Sequence, residues 1–337
     1  MLPLRWRWFL LWSGLLLHYL LHPMPAPLPR PAAARASSAP PPARLPRVLV
    51  CIAAHFAPGR TTAHLDRVIA EYRDAYARHY AVTLMVDTNS AELAAHLARS
   101  APGAQVRVWS ALELGDPLHL PYVHRHHMQQ VLEDYEYLVF TEDDVLLPLA
   151  SFQFYAARQR ELWERGWMFG WVRAELWSGD NATAISIDNI EPVFDPPLYR
   201  APSGQLYAEP WSPYAAFYVL DREQALAMRD DASGVWHNGF PPFLPREKMS
   251  VGWLYARTGG ASEPYGAKGW RARALTPLDA AGAVLPEAIA WHLPRKYATS
   301  TALWFHDLGS VPVRAMFNFT AQGLAAVAPL VQHPPSP

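Results

Sequence analysis

Cysteine is almost missing. The 337-residue chain holds one, Cys51, which excludes an intramolecular disulfide framework. A surplus of either charge is missing too. Lys and Arg number 29 against 30 Asp and Glu, for a net charge of −1. That balance excludes the clustered basic footprint by which proteins attract nucleic acid. No acidic residue occurs before Asp66. No internal repeat is visible. The apolar run near the N-terminus is short, with 14 residues from Trp8 to Leu21 interrupted by Ser13, Gly14 and His18. A membrane-spanning helix ordinarily needs about 20 residues, with about 17 as the lower edge.

Three readings of that run compete. Arg5 and Arg7 precede it, as a cytoplasmic N-terminus requires, and a thin early-secretory membrane accepts short spans. A cleaved signal peptide would use Ala34-Arg35-Ala36, which lies far beyond Leu21. A transit peptide fits the early lack of acid but not the leucine content. The expectation is a signal-anchor over residues 1–22. Residues 23–46 are rich in Pro, Ala and Ser, with Pro40-Pro41-Pro42 among them, and have little to bury. They read as an extended stem. Residues 47–331 read as one folded domain and 332–337 as a disordered tail.

What is present is apolar and aromatic. Hydrophobic residues make up 51 % of the chain and aromatics 12 %, enough for a substantial core. Aromatics also suit sugar binding, because sugar rings present C–H faces that stack on them. From Arg47 onward the pattern alternates. Val48–Ala53 is an apolar run of strand length. A helix capped by Thr61 or Thr62 runs to about Tyr80, with Leu65, Val68, Ile69 and Tyr72 on one face. Val82–Val86 is a second strand, Ala91–Arg99 a helix, Val106–Trp109 a third strand, Tyr122–Tyr135 a helix and Tyr137–Phe140 a fourth strand. The rhythm predicts an α/β fold: a Rossmann-type, mostly parallel sheet flanked by helices. A less regular second half follows.

The fourth strand ends in Glu142-Asp143-Asp144, and apolar residues resume at once. Ligands of open α/β sheets bind at the carboxyl ends of strands. In an extended chain residues 142 and 144 share a side. Two carboxylates held together repel unless a cation neutralises them. Oxygen ligands suit Mg²⁺ or Mn²⁺, which also take phosphate oxygens. Such an ion would stabilise a departing nucleoside diphosphate. A solvated acidic turn is the plain alternative.

This stretch resembles that of the GT-A glycosyltransferases, which use nucleotide-diphospho-sugars and carry a DxD-type acidic motif after an apolar strand. Here the first acid is Glu142 rather than Asp. Trp171–Glu175 is similar to a strand that follows in some such enzymes. Ser212–Glu223 resembles their acceptor-side segment, and Trp291–Tyr297 resembles the region of a late His that reaches metal or diphosphate. The resemblance spans about Arg47 to Tyr297. It implies a metal-dependent glycosyltransferase with a nucleotide-sugar donor, a glycan, glycoprotein or lipid acceptor, and Mn²⁺ or Mg²⁺ held by Glu142, Asp144 and His292. Asp143, Arg125 and Asp87 would contact the donor. Glu247, in Arg246-Glu247-Lys248, would serve as the base that activates an acceptor hydroxyl. Anchor, stem and domain would then make a single-pass type II protein of the Golgi or ER membrane. Two other functions share the triplet: a metal-dependent phosphoester hydrolase, and a non-catalytic glycan-binding protein.

Several candidates have bland alternatives. His124 and His127 share a helix face, but two more zinc ligands are not in evidence, so a basic face is expected. A lone His such as His292 is usually structural, Asp87 is also a turn residue, and Glu247 suits a helix start. Asn181-Ala-Thr183 and Asn318-Phe-Thr320 are N-glycosylation acceptors if exposed in a lumenal domain.

Overall fold

The computed structural model describes residues 44–57, 59–177, 181–189, 192–210, 212–230, 254–257, 270–294, 297 and 311–332. Residues 44–337 form one compact unit. The expected anchor and most of the stem therefore lie outside the described residues. Among the described residues no helix is long and apolar enough to cross a membrane.

The alternation from Arg47 onward becomes β1 (Arg47–Ala54), α1 (Ala63–Ala70), β2 (Ala81–Thr88), α2 (Ala91–Ser100), β3 (Gln105–Val108), a helical turn α3 (Ala111–Leu114), α4 (His124–Val131) and β4 (Tyr137–Glu142). The strands stand in the order 3-2-1-4. β1 is parallel to both β2 and β4, and β2 is parallel to β3. β12 (Phe217–Asp221) closes the other edge antiparallel to β4. Both faces are covered, as continuous apolar strands require. Val48, Val50 and Ile52 pack on one face with Leu65, Val68 and Leu93. Leu49, Cys51 and Met85 pack on the other with Met128 and Leu132.

Two expected helices are shorter than their apolar patterns. α1 ends at Ala70 and gives way to a π-helical stretch, Glu71–Ala75, and a 3₁₀ turn, Tyr76–Arg78. The wider turn keeps Tyr72 and Tyr76 buried together, with ring centroids 4.7 Å apart. The helix before β4 is split into a 3₁₀ stretch, Pro117–Tyr122, then α4, then a 3₁₀ turn, Leu132–Asp134. Pro121 lies within the first piece and has no N–H to give an α-helix.

The second half consists of short strands. β5 (Val145–Leu146), β7 (Val172–Leu176), β8 (Ala184–Ser186), β16 (Ile289–His292) and β17 (Val311–Pro312) form one sheet in the order 17-8-7-16-5. β6 (Met168–Phe169), β10 (Leu198–Arg200), β11 (Leu206–Ala208), β15 (Ala274–Leu278) and β19 (Val327–Pro329) form another. β9 (Val193–Phe194) pairs with β18 (Phe317–Asn318), and β13 (Tyr255–Arg257) with β14 (Trp270–Ala272). The long helix α5 (Leu149–Trp163) and α6 (Arg222–Arg229) complete the layers. The whole is an α/β fold with a Rossmann-type sheet.

Candidate functional site

The 3-2-1-4 order has one place where the chain reverses direction across the sheet. β1 leads outward to β2 and β3, and the chain then returns to β4 on β1's other side. The loops leaving β1 and β4 diverge there, and such a switch point is where open sheets bind ligands. The β1 loop brings Arg60 and α1 brings His64. The β4 loop brings the acidic triplet.

Glu142 is the last residue of β4, while Asp143 and Asp144 form a tight turn into β5. The alternation expected of residues 142 and 144 therefore ends at Glu142, because the chain leaves the extended conformation. The structure instead brings Asp143 and Asp144 onto one cation. Arg60 Nη2 lies 3.1 Å from Asp143 Oδ1 and 3.5 Å from Asp144 Oδ2. Asp143's backbone N–H bonds Ala53 O at 3.0 Å, which ties the turn to the end of β1. Glu142 lies within electrostatic reach of both Asp143 and Arg173. Burial raises the Asp143 carboxyl to about 7, with the Asp144 charge adding to the rise.

Strand register delivers the third partner. β5 and β16 pair so that Val145 faces His292, and β16 pairs with β7 through Trp291 and Ala174. His292 thus sits between Asp144 and Glu175. Its Nδ1–H donates to Glu175 Oε1 at 2.5 Å, and its Nε2 lies 3.5 Å from Asp144 Oδ2. Glu175 is fully buried, and its Oε2 accepts from the Tyr297 backbone N–H at 3.0 Å. Burial pulls the His292 pKa down, but hydrogen bonds to Asp144 and Glu175 outweigh it and the net shift is upward. Burial lowers the pKa of His64, which lies in the field of Asp144, Arg60 and His292.

Among the described residues no group of three or more His, Cys, Asp or Glu side chains is arranged to hold a metal ion, so the expected trio of Glu142, Asp144 and His292 does not form one. The residues nevertheless fit an open site for Mg²⁺ or Mn²⁺. Such ions are often held by one or two carboxylates, the rest of their shell being water and substrate phosphate. The Glu175–His292 bond is the kind that fixes a ligating imidazole, one nitrogen donating to a carboxylate and the other turned to the site. The pair Asp143 and Asp144 already attracts a cation, Arg60.

The other sequence candidates fall in different places. Asp87, at the end of β2, is paired in register with Ala53 and is 1 % exposed. Trp109 Nε1–H donates to its Oδ1 at 2.8 Å, while its Oδ2 is buried without a partner among the described residues. Burial raises its carboxyl to about 6 against the opposing pull of the Trp109 bond. Arg125 is 2 % exposed and packs among Tyr122 and Tyr218 in the core under the sheet. The expected basic face of its helix is a buried one. His124 stacks on Phe140 at 4.0 Å and bonds Tyr218 Oη through Nε2 at 2.6 Å. Burial depresses His124 strongly, and it takes His127 to about 4, so both rings are neutral. The apolar sheet face requires this cover, which outranks the residues' polarity. Glu247 lies outside the described residues.

Sequence reading passed over Arg60, His64 and the role of Glu175. It also missed the buried pair Arg173–Asp188, bidentate at 2.7 and 2.9 Å, which braces β7 beside Tyr214. Arg60 and His64 had a positional signal, since they follow the first strand's carboxyl end. A surface cleft lined by Arg165, Arg200, Ala201, Val327, Pro329 and Leu330 shares no residue with this cluster.

Comparison with known protein families and with characterised proteins returns no match. One solved structure to which the chain is similar is provisionally named a nucleotide-diphospho-sugar transferase, from Desulfovibrio desulfuricans G20. The identity is 13 %, the TM-score 0.27, and the match covers 61 % of this chain and 73 % of the other. A likeness that low carries no argument about function, and the α/β assignment rests on the strands themselves.

Proposed function

We propose that this chain is a glycosyltransferase that moves a sugar from a nucleotide-diphosphate sugar to a hydroxyl acceptor, with Mn²⁺ or Mg²⁺ at the triplet. The observation that supports it is the meeting of Asp143, Asp144, His292 and Arg60 at the sheet's switch point.

In this reading the carboxylates of Asp143 and Asp144 would hold the ion beside His292 and face the donor diphosphate, and the expected trio of Glu142, Asp144 and His292 is set aside because no such group of three is arranged around a metal position among the described residues. A divalent ion there supplies Lewis-acid charge that offsets the negative charge growing on the leaving diphosphate. Glu175 keeps His292 in one tautomer and one orientation. Asp87, paired in register with Ala53 at the end of β1, is buried and shapes the nucleoside side of the site from within rather than touching the nucleoside. Arg125 supports this wall from beneath rather than touching diphosphate. Glu247 is the proposed acceptor base. Residues 1–22 would anchor the chain in the Golgi or ER membrane, with the stem at 23–46 and the catalytic domain in the lumen.

Calorimetric titration of UDP and GDP, with and without Mn²⁺, tests the reading. Binding that needs the ion supports it, followed by a search for nucleotide-sugars whose diphosphate is released. Hydrolysis of simple phosphoesters would favour the hydrolase. Glycan binding with no affinity for either nucleotide would favour the non-catalytic alternative.

A further inference from the structure

Asp144 Oδ2 has a nitrogen on each side. His292 Nε2 approaches it from the interior at 3.5 Å, and Arg60 Nη2 approaches from the solvent side at the same distance. The two carboxylate side chains are 14 % and 7 % exposed, while Arg60's is 33 % exposed. Arg60 is thus the outer boundary of the cluster. Its other terminal nitrogen, Nη1, donates to the His55 carbonyl, a second tie on the guanidinium. The loop that carries it is a turn, with Arg60 N–H bonded to Ala57 O at 3.0 Å and Gly59 at φ 82°. The side chain is long and one-third exposed, so rotation about its own bonds can withdraw it toward solvent.

We propose that Arg60 is the resident counter-cation of Asp143 and Asp144, and that a divalent ion and Arg60 compete for these carboxylates. The inference rests on the glycosyltransferase reading above and adds an order of events to it. Two cations cannot share the outer side of Asp144 Oδ2 at bonding distance without strong repulsion. Entry of the ion therefore requires Arg60 to leave. The freed guanidinium has a planar fork of donors matched to phosphate oxygens, and the diphosphate arrives next to it. Exchange of Arg60 from carboxylate to diphosphate would couple ion binding to nucleotide binding. Ion alone binds weakly, because Arg60 is displaced with no new partner. Ion and diphosphate together bind well, because every charge is matched.

Mn²⁺ binding, followed by electron paramagnetic resonance, tests this without any turnover. The full chain and Arg60→Ala are titrated with Mn²⁺ alone and then with Mn²⁺ plus UDP. The expected result for Arg60→Ala is about tenfold tighter binding of Mn²⁺ alone. The same variant should bind UDP about tenfold more weakly at saturating Mn²⁺. Arg60→Gln, which keeps much of the length and removes the charge, should shift both affinities in the same directions. It decides the matter if the alanine variant fails to fold. Mn²⁺ affinity that is unchanged or weaker in the variants, with the parent binding Mn²⁺ and UDP together, would overturn the competition and leave the glycosyltransferase reading intact. No Mn²⁺ binding by parent or variant, with or without UDP, would overturn the metal reading and this inference with it.

Discussion

Glu175 bonds His292 and so determines where that imidazole points. It is fully buried and bonds both the imidazole and the Tyr297 backbone. Glu175→Gln keeps the shape and removes the charge that favours the Nδ1–H tautomer. The expected outcome is a 10- to 100-fold loss of Mn²⁺ affinity in the presence of UDP, roughly the usual effect of removing such a support. Calorimetry reads it, and unchanged circular dichroism shows that the fold survives. Asp87 gives a second, independent expectation. Its carboxyl is raised by burial to about 6 in the folded chain, so the folded state holds a proton that the unfolded state releases. Its contribution to stability is full below about pH 4 and is lost as pH rises through about 6. A carboxyl moved from its ordinary value near 4 to about 6 costs the folded state roughly 3 kcal/mol once both states are ionised. Asp87→Asn keeps an oxygen for Trp109 and abolishes the titration. Urea denaturation should find the variant more stable than the parent at pH 8, with the gap shrinking toward pH 4. A gap independent of pH would mean that Asp87 is solvated. These residues also separate what the sequence displayed from what it hid. Asp143 and Asp144 announced themselves by standing between apolar segments. Glu175 did not, because its meaning lies in the pairing of β7 with β16, more than a hundred residues away.

The same contrast holds for strands and helices. β1, β2 and β4 were readable because each carries an apolar run, and β3 because Val106 and Val108 alternate with polar residues, all separated by helical segments or turns. The strands that complete the site, β5, β7 and β16, have two, five and four residues, too short for a periodic signal. Only their mutual register gives them meaning. The splitting of the helix around Pro121 follows from the proline itself, whereas the π-helical stretch after Ala70 follows from the packing of Tyr72 and Tyr76. Gly170 tests how tightly the second half is joined. It lies between β6 and β7, and its N–H bonds Leu275 O at 2.8 Å. A methyl group there would meet the Leu275 carbonyl carbon and the Thr276 nitrogen at 2.9 Å, and Thr276 Oγ1 at 2.8 Å. Backbone atoms cannot rotate away as a side chain can. Gly170→Ala should cost about 1–3 kcal/mol, seen as a fall of several degrees in Tm. Because β7 carries Glu175, Mn²⁺-dependent UDP binding should weaken along with stability. A variant with parental Tm would mean that β6 and β15 separate easily.

For the molecule entire, the question is which part folds and on which side of a membrane it works. The described core begins with Val48, and residues 44–337 form a compact unit. Residues 44–337 produced alone should unfold at the Tm of the full chain, as measured by calorimetry. A clearly lower Tm would show that the first 43 residues contribute to the fold. The proposed lumenal placement makes a different demand. Asn181 is exposed and takes a positive φ of 54°, a conformation asparagine tolerates well. Asn318 is exposed as well, but Thr320 of its triplet already caps α7 (Ala321–Ala325) and bonds Asp195. Glycosylation requires the acceptor segment to be reachable, so Asn181 is the favoured position and Asn318 the hindered one. Expressed in a eukaryotic secretory host, the full chain should lose mass on treatment with an N-glycosidase, and Asn181→Gln should remove most of that shift. In sealed microsomes the domain should resist added protease until detergent opens the vesicle. A chain that carries no glycan and is digested without detergent would face the cytosol. That outcome would remove the type II arrangement while leaving the chemistry proposed for Asp143, Asp144 and His292 to stand on its own geometry.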